Sequence, residues 1–203
     1  MTITINGSGT ITGASTLATT TVSQNLTTPV VTSTIGVGNA TPSGSGSGIT
    51  FPATQSASSD ANTLDDYEEG TFTPSIATDA TQPTVTYTAR GGGYIKVGTL
   101  VYFSMRIVVS TISGGTGALN LAGLPFTAID ASGGGGWGYQ AVSIGYTAGW
   151  TAGTTPYNAL VFQNSTNVRP YYTATLGGNK TDNNISQVAG GMEIYVAGCY
   201  RTS

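Results

Sequence analysis

The clearest pattern along the chain is an alternation of apolar and polar residues in VYFSMRIVV, residues 101–109. Tyr102, Ser104 and Arg106 fall on one face of an extended chain, and Val108 is the one exception to the alternation. The opposite face is apolar throughout and carries Val101, Phe103, Met105, Ile107 and Val109. A period of two over this length predicts a long β-strand with one face buried in a core.

The same period recurs toward the C-terminus. YQAVSIGY places Val142, Ile144 and Tyr146 on one side, and MEIYVAGCY does the same with Met192, Ile194 and Val196. Shorter candidate strands are TFTPSI, TVTYT, ALNLAG, YNALVFQ and RPYYTATL, and Gly-rich turns separate them at 91–93, 113–117, 132–138 and 176–184. Many short strands between such turns predict an all-β fold, with a jelly-roll-like β-sandwich over residues 63–203.

Residues 1–62 have a different character. They contain short β-like pieces separated by Gly, Ser and Pro, a single aromatic residue, Phe51, and a single charged residue, Asp60. Such a segment cannot build a thick core alone, which leaves two interpretations. It is a disordered tail, or an extended arm or short shaft that buries its apolar residues against other chains. TPSGSGSG (41–48) is typical of a loop or linker.

An acidic run marks the predicted domain boundary between residues 62 and 63. Four of the nine acidic residues occur there: Asp65, Asp66, Glu68 and Glu69. Thr63 and Asp66 have the spacing of a weak capping box, which predicts one helical turn ended by Gly70. The run is interpreted as an exposed, solvated junction, or as a contact with another subunit or an ion. Adjacent exposed acids do not have the arrangement of a glycosidase pair.

Composition limits the partners. Charged residues make up 7 % of the chain and the net charge is −3, whereas globular proteins have about 25 % charged residues. Six Lys and Arg residues do not provide a basic patch, so nucleic-acid binding is not expected. The most apolar stretch, VGTLVYFSMRIVVS, is too short and polar to span a bilayer. The N-terminus MTITINGSGT lacks the features of a signal peptide, which predicts synthesis in a cytoplasm.

Catalytic chemistry is poorly represented in the sequence. The chain has no histidine and one cysteine, Cys199, so neither a hydrolytic triad built on histidine nor a cysteine cluster for zinc is available. No nucleophile elbow, Walker motif or dinucleotide fingerprint occurs. We therefore expect no enzyme activity, no cofactor and no metal site. Cys199 is interpreted as an inert strand thiol, with an interchain disulfide as the alternative.

Aromatic residues are the remaining candidates for a binding site. Trp137 and Trp150 are flanked by glycines in predicted loops, and Tyr139 and Tyr157 lie in the same part of the chain. An aromatic ring stacks on sugar C–H groups while its polar edge forms hydrogen bonds, so these four residues are candidates for receptor or glycan binding. The alternative is that they pack inside the sandwich or at a subunit interface.

Several motifs together resemble a known family. NTLDDYEEGTFTPSI, YTARGGGYIKVGTLVYFSMRIVV, LNLAGLPF and YVAGCYRTS resemble the C-terminal β domain of tail-fibre and head-fibre structural proteins of tailed bacteriophages. The resemblance covers roughly residues 36–203, and the LDDYEEGTFTP run is its most specific part. It marks a structural family and no catalytic activity.

The resemblance implies a homotrimeric virion protein at the tail or capsid surface, made in the host cytoplasm. Its N-terminal arm would contact other virion proteins, and its C-terminal domain would contact a host surface receptor or glycan. The short segment before the domain favours a short tail or head fibre. The alternative is a capsid decoration or a tail or baseplate connector that binds no receptor.

Overall fold

A computed structural model describes residues 34–54, 58, 60, 62–131, 138–174 and 178–202 of the chain. Within these residues the predicted all-β architecture is confirmed, and a single 3-10 turn (Ile185–Gln187) interrupts the strands. The strands in chain order are β1 (Thr34–Gly36), β2 (Gly48–Thr50), β3 (Tyr67–Phe72), β4 (Ser75–Thr78), β5 (Thr84–Val97), β6 (Leu100–Ser113), β7 (Leu119–Ala122), β8 (Gln140–Trp150), β9 (Asn158–Val161), β10 (Asn167–Tyr172), β11 (Thr181–Asp182) and β12 (Val188–Arg201).

In the described part of the chain, ten strands form one continuous antiparallel sheet in the order β3-β5-β6-β12-β8-β9-β10-β7-β4, with β11 paired to β10. We call β3, β5, β6, β12 and β8 the first half-sheet, and β9, β10, β7, β4 and β11 the second half-sheet. The two edge strands β3 and β4 are separated in sequence only by Thr73 and Pro74. Two residues span at most about 10 Å between flanking strand ends, so the sheet must curl until its edges approach each other. A division into the two layers of a jelly roll stays a prediction.

The core lies on the inner face of this curled sheet. One cluster of buried residues joins the two half-sheets, with Val101, Phe103, Ile107, Met192 and Ile194 from the first meeting Ile76, Leu119, Leu121, Val161 and Val168 from the second. The five apolar residues predicted to share the inward face of β6 are all buried, which confirms the period-two interpretation of 101–109. Burial of large side chains from both halves holds the curl closed, at about 25 cal/mol per Å² of apolar surface.

Tyr146 departs from the predicted pattern. The alternation placed it on the same face as Val142 and Ile144, but its side chain is 52 % exposed and its ring contacts Tyr195. The pairing of β8 with β12 shifts register between Tyr195 and Val196, which accommodates one extra residue at Gly145. A bulge of this kind reverses the faces of the residues that follow it, so Tyr146 points away from the core.

The N-terminal segment that the structure describes forms a small unit of its own. β1 and β2 pair in parallel, and Ile35 lies opposite Ile49 with both side chains about half exposed. The linker predicted at 41–48 is confirmed as a loop, apart from Gly48, which begins β2. Residues 1–33 of the predicted arm lie outside the described residues, and the arm or shaft stays a prediction.

The helical turn predicted after Thr63 is wrong. Residues 63–66 have no regular structure, and Tyr67–Phe72 form strand β3, paired along its whole length with β5 from Tyr67↔Val97 to Phe72↔Gly92. The strand partner satisfies the backbone groups that a helical turn would have used. The stabilisation from a weak helix cap at 63–66 is smaller than that from six residues paired in a strand, two of which are aromatic.

Gly149 near the end of β8 supports a prediction about backbone geometry. Its φ is +71°, and a Cβ atom there would lie 2.7 Å from the Met192 Cα and the Gly191 carbonyl oxygen. These are backbone atoms and cannot move aside easily. We expect Gly149→Ala to lower the free energy of unfolding by about 2–4 kcal/mol, from left-handed strain plus overpacking.

The matched control for this substitution is Gly145→Ala in the same strand, where an added Cβ meets no atom within 4 Å. Urea denaturation followed by tryptophan fluorescence measures both variants. Equal stability losses for the two glycines would contradict the argument, because only Gly149 combines positive φ with a close backbone neighbour.

Candidate functional site

The four aromatic residues proposed from the sequence do not form one cluster. Trp137 lies outside the described residues. Trp150 is the last residue of β8, whereas Tyr139 immediately precedes the first residue of the same strand. A strand of this length separates its ends by about 30 Å, so Trp150 and Tyr139 cannot belong to a single small site.

Trp150 was predicted to lie in a loop, and the structure places it in a strand instead. It pairs with Val188 and is half-buried against the hydrophobic core. Its indole Nε1 is buried and has no hydrogen-bond partner among the residues that the structure describes. The glycines on either side of Trp150 therefore reflect strand irregularity at the Gly149 position and do not indicate an exposed binding loop.

Tyr139 and Tyr157 are both on the surface, with side chains 45 % and 56 % exposed. Tyr139 contacts the ring of Phe162 edge to face, with centroids 5.1 Å apart. Tyr157 forms a hydrogen bond through its hydroxyl with Thr173. The two tyrosines flank the opposite ends of β9, and five residues of extended chain place them about 17 Å apart.

The outward face of the second half-sheet, next to Tyr139, carries a polar network centred on Arg169. The Arg169 guanidinium donates to Asn120 Oδ1 at 3.1 Å, to Asp182 Oδ2 at 3.0 Å and to Asp79 Oδ2 at 3.4 Å. Its Cζ atom lies 4.5 Å from the centroid of the Phe162 ring. Three acceptors and an aromatic face hold the guanidinium in one orientation. Each of these hydrogen bonds is charge-assisted and therefore stronger than a hydrogen bond between neutral groups.

Two further residues extend this network. Tyr171 lies two residues beyond Arg169 in β10, and Lys180 Nζ lies 4.2 Å from the centroid of its ring. Burial, together with the nearby Asp182 carboxylate, raises the pKa of Tyr171 to about 12. Its hydroxyl therefore stays protonated at neutral pH. We call Tyr139, Phe162, Arg169, Tyr171 and Asp182 the aromatic–arginine cluster.

The chemistry of this cluster suits an uncharged polyhydroxylated ligand. The Asp79 and Asp182 side chains remain nearly half exposed although they pair with Arg169, so each keeps lone pairs that can accept hydrogen bonds from a ligand hydroxyl. Tyr139 presents an exposed ring that contacts Phe162, on which Arg169 stacks. Aromatic faces and fixed hydrogen-bonding groups are the combination that binds sugars.

Sequence reasoning identified Tyr139 in this cluster but missed Phe162, Arg169 and Asp182. These three residues are far apart in the sequence and belong to no common motif. The one signal available was the pair Arg169 and Asp182 in a chain with very few charges. Their proximity depends on the pairing of β10 with β11, which places Tyr171 opposite Asp182.

The acidic run at 65–69 is not uniformly exposed, and for Asp66 the predicted exposure is wrong. Asp66 is buried and forms an ion pair with Lys96, which is also buried. Asp65 accepts a hydrogen bond from the Ser58 backbone N–H at 2.7 Å. The Asp66 ion pair thus ties the segment before β3 to strand β5, whereas the Asp65 hydrogen bond lies within that segment. A contact of the run with another subunit or an ion stays a prediction.

Glu68 and Glu69 are exposed and accept hydrogen bonds from tyrosine hydroxyls. Tyr94 donates to Glu68, and this bond raises the pKa of Tyr94 to about 12. Tyr67 donates to Glu69 at 3.0 Å, which raises the pKa of Tyr67. The two carboxylates thus point to different tyrosine partners.

The described residues contain neither a metal-binding group nor a helix that could span a membrane. No group of three or more His, Cys, Asp or Glu side chains there has the arrangement to hold a metal ion. None of the helical structure in the described part of the chain is long and apolar enough to cross a membrane. Cys199 is an exposed free thiol in β12.

Comparison with known proteins finds structural similarity without a family match. No protein-family model matches the chain, and no curated protein matches it. Among solved structures, the Dettilon tailspike protein is similar over 66 % of this chain, with a TM-score of 0.51 and 22 % sequence identity. The match spans 24 % of the tailspike chain. At this identity the comparison shows a shared β fold.

Proposed function

We propose that this chain is a structural protein of a tailed-bacteriophage virion: a short homotrimeric tail or head fibre whose C-terminal domain binds the host surface. The observation that carries the proposal is the fold shared with a tailspike protein. The resemblance of residues 36–203 to fibre C-terminal domains points independently to the same class of protein. In this proposal the N-terminal arm contacts other virion proteins.

The proposed activity is binding without catalysis. The aromatic–arginine cluster has fixed polar groups around an exposed ring, as a glycan-binding surface requires. A single shallow surface of this type binds weakly. Three copies on one fibre and several fibres on one particle raise the effective affinity by avidity, about 10²- to 10⁴-fold over a single contact.

The first experiment locates the protein on the particle. Antibodies raised against residues 63–203 are applied to intact virions and detected by immunogold electron microscopy. We expect gold at the tail or at discrete fibres. Dense labelling over the whole capsid would instead support the decoration role, and absence of label from intact and disrupted particles would refute a virion protein.

The second experiment tests host binding directly, and we expect the purified full chain to slow adsorption of the phage to its host cells. A Tyr139→Ser/Asp182→Asn variant should need about a tenfold higher concentration for the same effect, because it loses one ring contact and one charged acceptor in each copy. Tyr157→Ser, at an exposed tyrosine outside the cluster, is the matched control.

Adsorption that is unaffected by the wild-type chain at saturating concentration would contradict the host-binding role. Combined with gold at the tail, that result would identify a connector. Equal weakening by the cluster variant and the Tyr157 control would place the binding surface elsewhere on the domain.

A further inference from the structure

The outward face of the first half-sheet is unusually apolar. An antiparallel sheet with one face on the core ordinarily presents polar side chains on the other face. Here seven large side chains point outward and are at least 38 % exposed: Tyr67, Ile95, Val97, Leu100, Tyr102, Tyr146 and Tyr195. We call these seven residues and the small residues between them the association face.

We propose that the association face is the surface through which copies of this chain bind one another. The inference rests on the homotrimer included in the proposed function, and it identifies the face that the subunits would share. Soluble monomers rarely expose a contiguous apolar patch of several hundred Å². A second copy of the chain is the occupant that the shape, charge and area of the face favour.

The face has a trough across its middle. Paired residues on adjacent strands are all small there, and the row runs across the strands through Thr71, Gly93, Ser104, Ala197 and Ser143. At the β3 end the trough widens into a hollow of about 520 Å³, floored by Gly70, Gly93 and Ser104. Small side chains in register leave the backbone open to a close approach from outside.

Two ridges of large side chains border the trough. On one side Ile95 and Tyr102 lie opposite each other on β5 and β6. On the other side the rings of Tyr146 and Tyr195 meet edge to face with centroids 5.6 Å apart, and Arg106 covers Tyr195. The ridges are four residues apart along the strands, or about 14 Å.

A surface with ridges and a trough of matching orientation is complementary to itself. The tyrosine ridge of one copy fits the trough of another, and the large rings then bury against glycine, serine and alanine. Tyrosine is enriched in the buried centres of protein interfaces because it combines a large apolar area with a polar edge. Without a second copy in the trough, the large side chains of both ridges would stay exposed to water.

The charges on the face also favour a second copy. Its outward charged residues are balanced, with Glu69 and Glu193 against Arg106 and Arg201. Arg106 and Glu193 already form an ion pair at 2.8 Å. A neutral, apolar face does not select a charged partner such as nucleic acid or an acidic surface, but it tolerates its own copy without repulsion.

The area of the face agrees with a stable interface. Five strands about 4.8 Å apart and eight residues rising about 3.4 Å each give a face of about 24 Å by 27 Å, or about 650 Å². A standard interface buries about 800 Å² on each partner. The exposed apolar residues of the N-terminal unit adjoin the same edge, since Phe51 and Pro52 share a hollow with Tyr67, and they supply the remainder.

The test is the mass of the full chain in solution, measured by size-exclusion chromatography with light scattering at about 10 μM, a concentration at which a standard interface is formed. We expect the wild-type chain to have the mass of an oligomer. The variant Ile95→Lys/Tyr102→Lys should have the mass of a single chain, because two positive charges cannot be buried in the apolar interface. The matched control is Tyr139→Lys/Tyr157→Lys, at similarly exposed tyrosines outside the association face, and it should keep the wild-type mass.

A wild-type chain that stays monomeric, or a face variant that keeps the wild-type mass, would overturn the inference. Loss of the oligomer in both double variants would also overturn it, since the effect would not belong to this face. A dimer that the face variant separates would support the association face while contradicting the trimer. Failure of host binding with the oligomer intact would count only against the proposed function.

A second measurement does not depend on the folding of the variant. Cys199 is exposed and lies opposite Tyr102 on this face, so association should cover its thiol. We expect Cys199 of the wild-type oligomer to react with a thiol reagent about tenfold more slowly than a free thiol, because reactivity requires access. Reaction at the rate of a free thiol in the wild-type oligomer would refute the proposal.

Discussion

Replacing Lys96 by methionine is expected to lower the free energy of unfolding by about 3–5 kcal/mol, because it leaves the buried Asp66 carboxylate without its cation. Asp66 and Lys96 are 5 % and 4 % exposed, and they form an ion pair between the segment before β3 and strand β5. A buried charge without a partner retains its desolvation penalty and loses the attraction that offset it. Urea denaturation at pH 7 measures the effect.

The control for charge and size is Lys180→Met. Lys180 is exposed and its Nζ lies over the ring of Tyr171, so its loss should change stability by about 1 kcal/mol or less. The double variant Asp66→Leu/Lys96→Met removes both charges and should recover most of the lost stability. A Lys96→Met variant as stable as Lys180→Met would show that the pair contributes little.

Replacing Phe103 by alanine is the second substitution with a large expected effect. Phe103 is fully buried in β6, and its ring contacts the buried ring of Tyr200 edge to face at 5.8 Å. Removing a buried phenylalanine side chain loses its transfer free energy and leaves a cavity, so we expect a loss of about 3–5 kcal/mol. The melting temperature should fall by about 10 °C for a domain of this size.

The matched control is the next residue in β6, which lies on the opposite face of the strand. Ser104→Ala removes one exposed oxygen from the same strand and should change stability by less than about 0.5 kcal/mol. Both variants are melted at one protein concentration, since association shifts the melting temperature by mass action. A small loss for Phe103→Ala would mean that the two half-sheets do not share a packed core at this position.

These two substitutions act on different parts of the structure, so their effects on stability can be assigned separately. Phe103 tests the core between the half-sheets. Lys96 tests the attachment of residues 58–66 to that core, together with the hydrogen bond from Gly98 N–H to the Asp66 carbonyl oxygen. The proposed arm reaches the domain through this segment. A loss confined to Lys96→Met would therefore weaken the arm's anchorage while leaving the sheet intact.

Local patterns in the sequence predicted the strands because side-chain alternation is a property of a strand by itself. The segment 101–109 has an inward face that can be identified from neighbouring residues alone, and the structure buries all five members of it. The all-β class follows in the same way from repeated short alternating runs between glycine-rich turns. The capping signal after Thr63 failed because a strand partner about thirty residues away outweighed it.

The candidate binding surface required the pairing of distant strands. Arg169 meets Asp79, Asn120 and Asp182 only because β4, β7, β10 and β11 lie side by side in the curled sheet. No spacing in the sequence indicates that arrangement, since each residue comes from a different segment. Tyr139 was identifiable because an exposed aromatic beside glycines is itself a local signal.

By itself the sequence determined the strand class, the inward face of β6 and the scarcity of charge, since these depend on each residue and its immediate neighbours. Tertiary structure alone decided that Asp66 is buried, that Trp150 belongs to a strand, that Tyr146 faces outward and that seven large side chains share one exposed face. The physical reason is register. One added residue at Gly145 turns Tyr146 away from the core, and the partner strand determines where that residue is inserted.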